Sequence, residues 1–258
     1  MKKYWDNFLK HRFLLSELVK KGIKLKYRRS YLGIIWSLIE PIMSTIVLTI
    51  VFGTLFQRSE KTFALYVISG RLLYQFFNKA THAGAVSIRH NAGMIKKVYV
   101  PKYFYPLSST LFNFIIFLIS LLAMIPIMIY ARTAPTIRFW HIIPALGYLI
   151  LLSVGTGLIL ATINVFFRDI EYLWNVILLV IMYCSAIFYY PERLLESRWW
   201  FLLKFHPLYC IINLFRSGVL GYYATWWDLL FPMFFSIAIL IIGVFVFKKY
   251  QDEFILHI

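Results

Sequence analysis

Acidic residues are scarce in this sequence, and the clustered groups that enzymatic chemistry needs are missing from it. Only 11 of the 258 residues are Asp or Glu, against 27 Lys or Arg, and the six histidines are dispersed. The sequence contains neither a GxxxxGK[ST] nucleotide-binding loop nor a GxSxG nucleophile elbow. We therefore predict that the chain is not an enzyme and has no catalytic residues, and that any ATP it depends on is bound by another chain.

Cysteine is also rare, which argues against a disulfide framework or a zinc site. The two cysteines, Cys184 and Cys210, have no metal-ligand spacing, and a disulfide between them is not indicated. The first apolar run long enough for a signal peptide starts only after residue 30, so no cleavable signal is expected. We expect this chain to bind neither a metal ion nor a cofactor.

Apolar residues, in contrast, are abundant. They make up 61% of the chain, whereas a soluble domain is about half apolar, and this excess favours lipid as the solvent. Runs of about 20 apolar residues predict an all-α integral membrane protein with six transmembrane helices. The predicted spans are approximately residues 34–56, 63–88, 105–129, 142–166, 172–188 and 229–247.

A strongly basic segment precedes the first span. Residues 1–29 carry ten Lys or Arg, with apolar residues between them at roughly helical spacing. This pattern predicts one or two amphipathic helices on the inner leaflet in contact with membrane lipids, although the cations can also serve only to determine topology. Within span 1, Glu40 precedes Pro41. Its carboxylate either pairs with a cation of a neighbouring helix or of a cargo, or lies at a helix kink close to the wet interface.

The distribution of cations predicts the orientation. Segments on the N-terminal side of the six spans hold 17 of the 27 Lys or Arg residues, so both termini are expected in the cytoplasm, with residues 251–258 as a short tail. The net charge of +16 does not indicate nucleic acid, because the cations cluster at the ends of apolar segments. Anionic lipids and any anionic cargo are the expected counterparts.

Span 2 is unusually polar for a membrane helix. It contains Arg71, Gln75, Asn78, Lys79 and His82. A charged residue at membrane depth costs about 2.5–3.5 kcal/mol on insertion scales, so such residues usually face protein or water. Either Arg71 and Lys79 line a cavity that attracts anionic cargo, or Arg71 is interfacial and Lys79 extends towards the inner surface.

The aromatic residues of span 2 permit two interpretations as well. Aromatic rings such as those of Tyr66, Tyr74 and Phe77 can stack on sugar rings, or they can face lipid or the protein core. Our prediction of channel-facing or cargo-contacting residues comprises Glu40, Tyr66, Arg71, Tyr74, Phe77 and Lys79.

Two segments between the spans are too polar or too interrupted to cross the membrane. In residues 89–106, Asn91 is a candidate cap for a short helix that Pro101 ends. Residues 189–223 are aromatic and semi-polar, and we predict two short helices there that dip into the outer leaflet. Trp199 and Trp200 would lie at the level of the lipid headgroups.

Four phrases of the sequence carry a family resemblance. They are KYRRSYLGIIWSLIEP (26–41), NAGMIKKVYVPKYFYPLS (91–108), NVFFRDI (164–170) and HPLYCIINLFR (206–216). In this order and spacing they resemble the type-2 ABC exporter permeases that export O-antigen, capsular polysaccharide or teichoic acid. The resemblance covers nearly the whole chain and implies an ABC-2 type transmembrane domain over residues 30–250.

The resemblance also implies partners and roles. Two copies of this chain, as a homodimer, would work with two ABC ATPase subunits that bind ATP and Mg²⁺, and would export a lipid-linked glycan across the bacterial plasma membrane. The N-terminal helix and a coupling helix at residues 91–100 would contact the ATPase. The residues implied are, for coupling, Asn91, Met94, Ile95, Lys96, Lys97 and Tyr99; for the second cytoplasmic loop, Arg168 and Asp169; and for a gate at the inner leaflet, Lys26, Arg28 and Arg29.

Three positions depart from the family pattern. Ala186 stands where Pro is usual, His206 where Asn is usual, and Arg71 where an apolar residue is usual. The added cations of span 2 suggest a phosphate-bearing or acidic cargo. Two other functions remain open: the same architecture moving a small hydrophobic drug or a lipid, and a membrane-embedded transferase. The transferase would need a clustered acidic or histidine site, which the sequence does not contain.

Overall fold

A computed structural model shows a helical protein. It describes residues 2–28, 31–55, 61–97, 100–133 and 137–257, and within these ranges it contains no β-strand. Short 3₁₀ turns lie at Gly33–Ile35 and Ile137–His141. The α-helices of the described ranges are α1 (Lys2–Tyr27), α2 (Trp36–Leu55), α3 (Lys61–His90), α4 (Ala92–Ile95), α5 (Phe104–Leu121), α6 (Met124–Ala131), α7 (Ile142–Phe166), α8 (Ile170–Cys184), α9 (Glu192–Leu195), α10 (Phe201–Lys204), α11 (Pro207–Leu220), α12 (Trp226–Tyr250) and α13 (Phe254–His257).

Four helical segments are long and apolar enough to cross a membrane: Gly33–Leu55, Phe104–Ala131, Arg138–Phe166 and Trp226–Tyr250. They correspond to predicted spans 1, 3, 4 and 6. Helix α3, the predicted span 2, has 30 residues but is too polar to meet the same criterion. Helix α8, the predicted span 5, has 15 residues and ends at Cys184 rather than at 188. At 1.5 Å per residue it covers about 22 Å, less than the hydrocarbon core.

The most polar long helix is the one that the rest of the protein surrounds. Helix α3 packs against α2, α5, α6, α7, α8 and α11, and most of its residues are buried. Several of its polar groups thereby find protein partners instead of lipid: Asn78 Nδ2 donates to the Tyr74 hydroxyl at 3.2 Å, and the Thr81 hydroxyl accepts from Trp174 at 3.0 Å. The surrounding helices explain how so polar a segment folds as a continuous helix.

The structure adds detail to span 3 and corrects the segment after span 5. Within the segment of span 3, α5 ends at Leu121 and α6 begins at Met124. Pro126 has no N–H to bond the carbonyl of Leu122, so the break lies where that bond would have formed. The segment after α8 contains three helices, whereas the sequence predicted two. Helices α9 and α10 are single turns, and α11 has 14 residues.

Two of the departures from the family pattern have a local structural role. Ala186 follows α8 with a φ angle of 47°, which a proline ring cannot adopt because it holds φ near −65°. His206 precedes α11, and its Nδ1 accepts a hydrogen bond of 3.0 Å from the backbone N–H of Tyr209. His206 thus caps the helix as Asn would, with Pro207 at the first helical position.

Two apolar clusters organise opposite ends of the helix bundle. The larger one is centred on α3 and includes α7 and α11. The smaller one joins α4 to the ends of α3, α7 and α12 and to Phe254 of α13, with Leu18 of α1 packed against it. We name this region the α4 end and the opposite region, which holds α9, α10 and α11, the α11 end. Elements near both termini therefore meet at the α4 end.

Small residues bring α7 close to two helices. A Cβ atom on Gly243 of α12 would lie 2.5 Å from the carbonyl oxygen of Gly155, and one on Gly84 of α3 would lie 3.0 Å from the Cα of Gly157. Gly147 has no neighbouring atom within 4 Å and takes no part in this close packing. The small residues allow the backbones to approach, which is how membrane helices gain packing energy.

Candidate functional site

The predicted coupling residues lie at the α4 end. Ile95 is buried in the smaller apolar cluster, whereas Lys96 and Lys97 are exposed. Asn91 does not cap α4: its side-chain Nδ2 donates instead to the carbonyl of Ser87 at 2.8 Å. The apolar side of α4 therefore packs on the protein through Ile95. The exposed cations Lys96 and Lys97 follow directly after its single turn. Tyr99 lies outside the described residues.

The predicted second cytoplasmic loop connects α7 to α8 at the same end. Phe167, Arg168 and Asp169 are exposed there. Next to it is a charged contact that the sequence did not reveal, because its members are far apart in the chain. Glu171 lies 3.6 Å from Arg89 and 3.8 Å from His82.

Arg89 of this contact also reaches α7. Its Nη1 donates to the Oδ1 of Asn164 at 3.2 Å, and the Nδ2 of Asn164 donates to the carbonyl of Ala85 at 2.8 Å. Together with Glu171, these bonds join the ends of α3, α7 and α8. The region behind the predicted coupling residues is therefore connected by polar contacts as well as by the apolar cluster.

The predicted gate residues lie at the end of α1. Lys26 and Arg28 are exposed, and Arg29 lies outside the described residues. The Lys26 ammonium is 5.6 Å and 5.7 Å from the ring centroids of Tyr27 and Phe112. Surrounding protein removes part of its hydration and lowers its pKa; the nearby Lys79 lowers it further, while Glu40 acts in the opposite direction.

Charged residues from α1, α2 and α3 converge beside these gate residues. Glu40 Oε1 lies 3.7 Å from Lys79 Nζ, and Glu40 is also close enough to act electrostatically on Lys26 and Arg71. We name Lys26, Glu40, Arg71 and Lys79 the Glu40 cluster. One carboxylate there faces three cations, so the cluster has a net positive charge.

A groove next to the Glu40 cluster adds neutral polar groups. It runs between α3 and α5, with an empty volume of about 290 Å³ that includes space open to the surroundings. Lys79 lines it together with Gln75, Asn113 and Ser120, and apolar residues complete its walls. The Ser120 hydroxyl donates to the carbonyl of Ile116 at 2.9 Å, and the Asn113 Nδ2 donates to the carbonyl of Ser109 at 2.8 Å. The Lys79 ammonium, the Gln75 amide and the second N–H of Asn113 are the donors that can bind an anion in this groove.

The aromatic residues predicted to face a channel are buried within the chain. Tyr66, Tyr74 and Phe77 are each less than 10% exposed. The hydroxyl of Tyr74 donates to the carbonyl of Leu178 at 2.9 Å, and Phe77 packs against Trp174. These rings join α3 to its neighbours within the chain. Contact of Glu40, Tyr66, Arg71, Tyr74, Phe77 and Lys79 with a cargo stays a prediction, and Glu40, Arg71 and Lys79 are the more exposed of the six.

Sequence reasoning also missed a fully buried cation at the α11 end. The guanidinium of Arg216 lies 3.4 Å from the ring centroid of Tyr66 and donates to the carbonyls of Tyr66 and Ala186 at 3.0 Å each. A third, longer bond of 3.5 Å reaches the carbonyl of Ile187. We name these four residues the Arg216 clamp. The phrase that contains Arg216 carries part of the family resemblance, but nothing in its letters shows that the side chain points inwards.

The Arg216 clamp explains how α8 can end inside the protein. The carbonyls of Ala186 and Ile187 follow its last turn and have no helical partner, and the Tyr66 hydroxyl also lies 2.9 Å from the Ala186 oxygen. A cation next to the C-terminus of a helix is favourable because that end carries a partial negative charge. The charge of Arg216 is thus used internally and is not available to a ligand.

Comparisons with known proteins agree with this architecture. Residues 14–220 match the protein family described as ABC-2 type transporter. An O-antigen export system permease protein of Klebsiella pneumoniae is 27% identical over 247 residues, which cover 93% of each chain. The polysialic acid transport protein of Escherichia coli is 21% identical over 242 residues, 92% of this chain and 93% of the relative.

A third relative is the capsule polysaccharide export inner-membrane protein of Neisseria meningitidis serogroup A. It is 22% identical over 265 residues, 96% of this chain and 95% of its own length. The match to the family includes most of the chain, from within α1 to the last residue of α11. The chain belongs to the ABC-2 type transporter family.

Proposed function

We propose that this chain is the membrane-spanning permease subunit of an ATP-driven exporter that moves a lipid-linked polysaccharide out of the cytoplasm. The observation that carries the proposal is the agreement with relatives along more than nine-tenths of the chain. Those relatives are named for the export of O-antigen, polysialic acid and capsule polysaccharide. Their cargoes differ in composition but share the class of a glycan polymer.

The working unit in this proposal contains two copies of the chain and two ABC ATPase subunits. Helix α8 buries only Leu178 of its residues within the chain, and apolar side chains such as Val176 and Val180 are exposed on it. Helix α2 likewise exposes Val47 and Ile50. Apolar faces of this kind are covered either by lipid or by another protein. A second copy that covers part of them would place the polymer path between the two chains.

ATP would act through the α4 end, with both termini in the cytoplasm. Lys96 and Lys97 lie on the exposed side of α4, while Ile95 anchors it in the smaller apolar cluster. A movement of the ATPase against α4 is then transmitted to α3, α7 and α12, which share that cluster. ATP binding drives transport only if it favours one of two conformations of the permease, and α4 is the element through which that preference is exerted.

Deletion and complementation in the source bacterium test this function. Loss of the gene should remove a polysaccharide from the cell surface and leave it inside the cell. The wild-type gene should restore it, whereas Lys97→Glu should not, because it reverses a charge that faces the ATPase. Lys249→Glu makes the same charge change at the end of α12 and serves as the control.

Two results would contradict the proposal. An unchanged surface polysaccharide in the deletion strain, together with increased sensitivity to a hydrophobic drug, would assign the chain to drug export instead. Normal export and normal recovery of the ATPase subunit with Lys97→Glu would contradict the coupling role of α4.

A further inference from the structure

The Glu40 cluster and the adjoining groove have more positive charge than the protein itself neutralises. Glu40 is the carboxylate of the cluster; it lies 3.7 Å from Lys79 and acts electrostatically on Lys26 and Arg71 at longer range. The side chains of Lys79 and Glu40 are 46% and 53% exposed, and the distance of 3.7 Å between their charged atoms is longer than that of a strong charge-assisted hydrogen bond. An ion pair of this kind contributes little to stability and is readily replaced.

The cations form a row that leads into the membrane. Arg71, Gln75 and Lys79 are spaced four residues apart in α3, so they lie on one face and extend over about 12 Å. Lys26 lies beyond Lys79, towards the end of α1. An anion that leaves the inner leaflet would therefore meet positive charge at successive depths along this face.

Arg71 is less committed to the protein backbone than Arg216. The Nε atoms of both arginines are buried and have no hydrogen-bond partner among the residues that the structure describes. The Nη atoms of Arg216 donate to three backbone carbonyls. Arg71 is only half-buried and lies near Glu40, so its Nη atoms are the part of its guanidinium that a ligand could approach.

We propose that Glu40 occupies the place of a phosphate group in the empty permease, and that the phosphate-bearing head of a lipid displaces it from Lys79. The head would bind in the groove between α3 and α5, with Lys79 of the groove lining as its cationic partner. Arg71 does not line the groove, but it lies on the same face of α3 and would add a second positive charge. Gln75 and Asn113 would supply neutral donors beside them. This inference rests on the proposed function, for which it identifies the part of the cargo lipid that the chain recognises.

Phosphate fits these residues better than a carboxylate does. A phosphate group offers more acceptor oxygens and, as a monoester, more than one negative charge, so it can engage Lys79 and Arg71 together. The side chain of Glu40 carries one charge and lies next to Lys79. Displacement of Glu40 therefore increases the number of cations that are neutralised, which favours the bound state.

The test measures binding of dioleoyl phosphatidic acid to the purified permease by native mass spectrometry, without an ATPase. Dioleoylglycerol, which has the same chains but no phosphate, is the lipid control. Lys79→Gln and Arg71→Gln should each weaken binding about fivefold, as expected for one cation near a lipid phosphate. Glu40→Gln should strengthen binding by a similar factor because it removes the competing anion. Lys249→Gln should leave binding unchanged.

A double variant distinguishes competition from a general effect of charge. If Glu40 acts by occupying Lys79, then Glu40→Gln should have much less effect when Lys79 is already Gln. Equal effects of Glu40→Gln in both backgrounds would contradict the proposal, and so would weaker binding by Glu40→Gln alone. Lys79→Met, which keeps the length of the side chain, replaces Lys79→Gln if the latter does not fold.

Inorganic phosphate distinguishes the two possible sources of the ligand. It should not compete with phosphatidic acid, because the lipid chains hold the head at the groove. Competition at equal affinity would assign the site to free phosphate and overturn the lipid part of the proposal. These binding outcomes are independent of transport. If phosphatidic acid does not bind but cells export polysaccharide normally, only this inference is contradicted. If phosphatidic acid binds as expected but the chain has no role in polysaccharide export, only the proposed function is contradicted.

Discussion

Two groups of cations lie among the packed helices of this protein, and their surroundings differ. In the Arg216 clamp, the guanidinium is 1% exposed, stacks on Tyr66 and donates to backbone carbonyls. In the Glu40 cluster, the side chain of Lys79 is half exposed and shares the single carboxylate of Glu40 with Lys26 and Arg71. The clamp uses its charge to satisfy the backbone, whereas the cluster has charge in excess of its internal partners.

The difference indicates which cations build the fold and which are available for function. A buried guanidinium is tolerated when most of its hydrogen bonds are made, and its removal takes a charged donor from each of three carbonyls. Of their side-chain donors, the carbonyls of Ala186 and Tyr66 would keep only hydroxyls, from Tyr66 and Ser69. A half-exposed ion pair contributes little to stability, so its presence needs another explanation. We therefore expect the effects of substitution on stability and on ligand binding to separate between the two groups.

The largest effect on stability is expected from Arg216→Gln. It removes the guanidinium donor from the carbonyls of Tyr66, Ala186 and Ile187 and creates a void beside the Tyr66 ring, so the free energy of unfolding should fall by about 3–5 kcal/mol. Thermal unfolding of the purified protein in detergent measures the change. Arg71→Gln is the matched control and should lower the free energy of unfolding by less than about 1 kcal/mol. Equal losses of stability in the two variants would contradict the distinction between the clamp and the cluster.

Gly70→Ala should disturb the same clamp from the side of α3. The added Cβ would lie 2.5 Å from Nη2 of Arg216, so the guanidinium must shift away from the carbonyl of Tyr66. We expect a loss of about 1–3 kcal/mol in the free energy of unfolding. Gly147→Ala is the matched control, because a Cβ added at Gly147 would have no atom within 4 Å. That variant should be neutral or slightly stabilising, since Ala favours the helix.

Glu171→Gln tests an intermediate case at the α4 end. Glu171 is 32% exposed and contacts both Arg89 and His82, so the loss of its charge should lower the free energy of unfolding by about 1 kcal/mol. Glu253→Gln, at an exposed position after α12, provides the control and should have no measurable effect. Identical unfolding temperatures for the two variants would show that the contact between α3 and α8 does not contribute to stability.

The smallest change in stability is expected from Glu40→Gln. Because Glu40 and Lys79 are both about half exposed, the variant should unfold within about 0.5 kcal/mol of the wild type. The same protein preparation should bind phosphatidic acid more tightly. A loss of stability as large as that of Arg216→Gln would show that Glu40 supports the fold and would remove the reason to regard it as a stand-in for a ligand.

Much of the architecture follows from patterns that are local in the sequence. Apolar runs predicted the helices that correspond to spans 1, 3, 4 and 6. The breaks were predicted less well. The interruption before Pro126 is local, because the N–H of Ile125 donates to the carbonyl of Leu122 at 3.1 Å. The end of α8 at Cys184 depends on Tyr66 and Arg216, which come from distant parts of the chain.

The candidate site was also predicted only in part from the sequence. The sequence indicated that Glu40, Arg71 and Lys79 are out of place in an apolar helix, because each carries a charge at membrane depth. It did not separate them from Tyr66, Tyr74 and Phe77, since a periodic pattern does not say whether a ring packs inside the chain or faces an opening. The contacts of Tyr74 with Leu178 and of Phe77 with Trp174 decide that point.

The sequence by itself indicated the helical class, lipid as the surroundings of the chain, the family and the presence of unusual charges. The length of an apolar run and the position of a charge act locally on each segment, so they can be read without the fold. Only the tertiary structure decided what those charges do. Arg216 and Arg71 are indistinguishable as letters within apolar surroundings. Arg216 meets the free carbonyls that follow α8, and Arg71 lies on the face of α3 that leads to an open groove, because helices distant in sequence pack at those two depths. The available partners, rather than the residue type, make one arginine structural and leave the other free for a ligand.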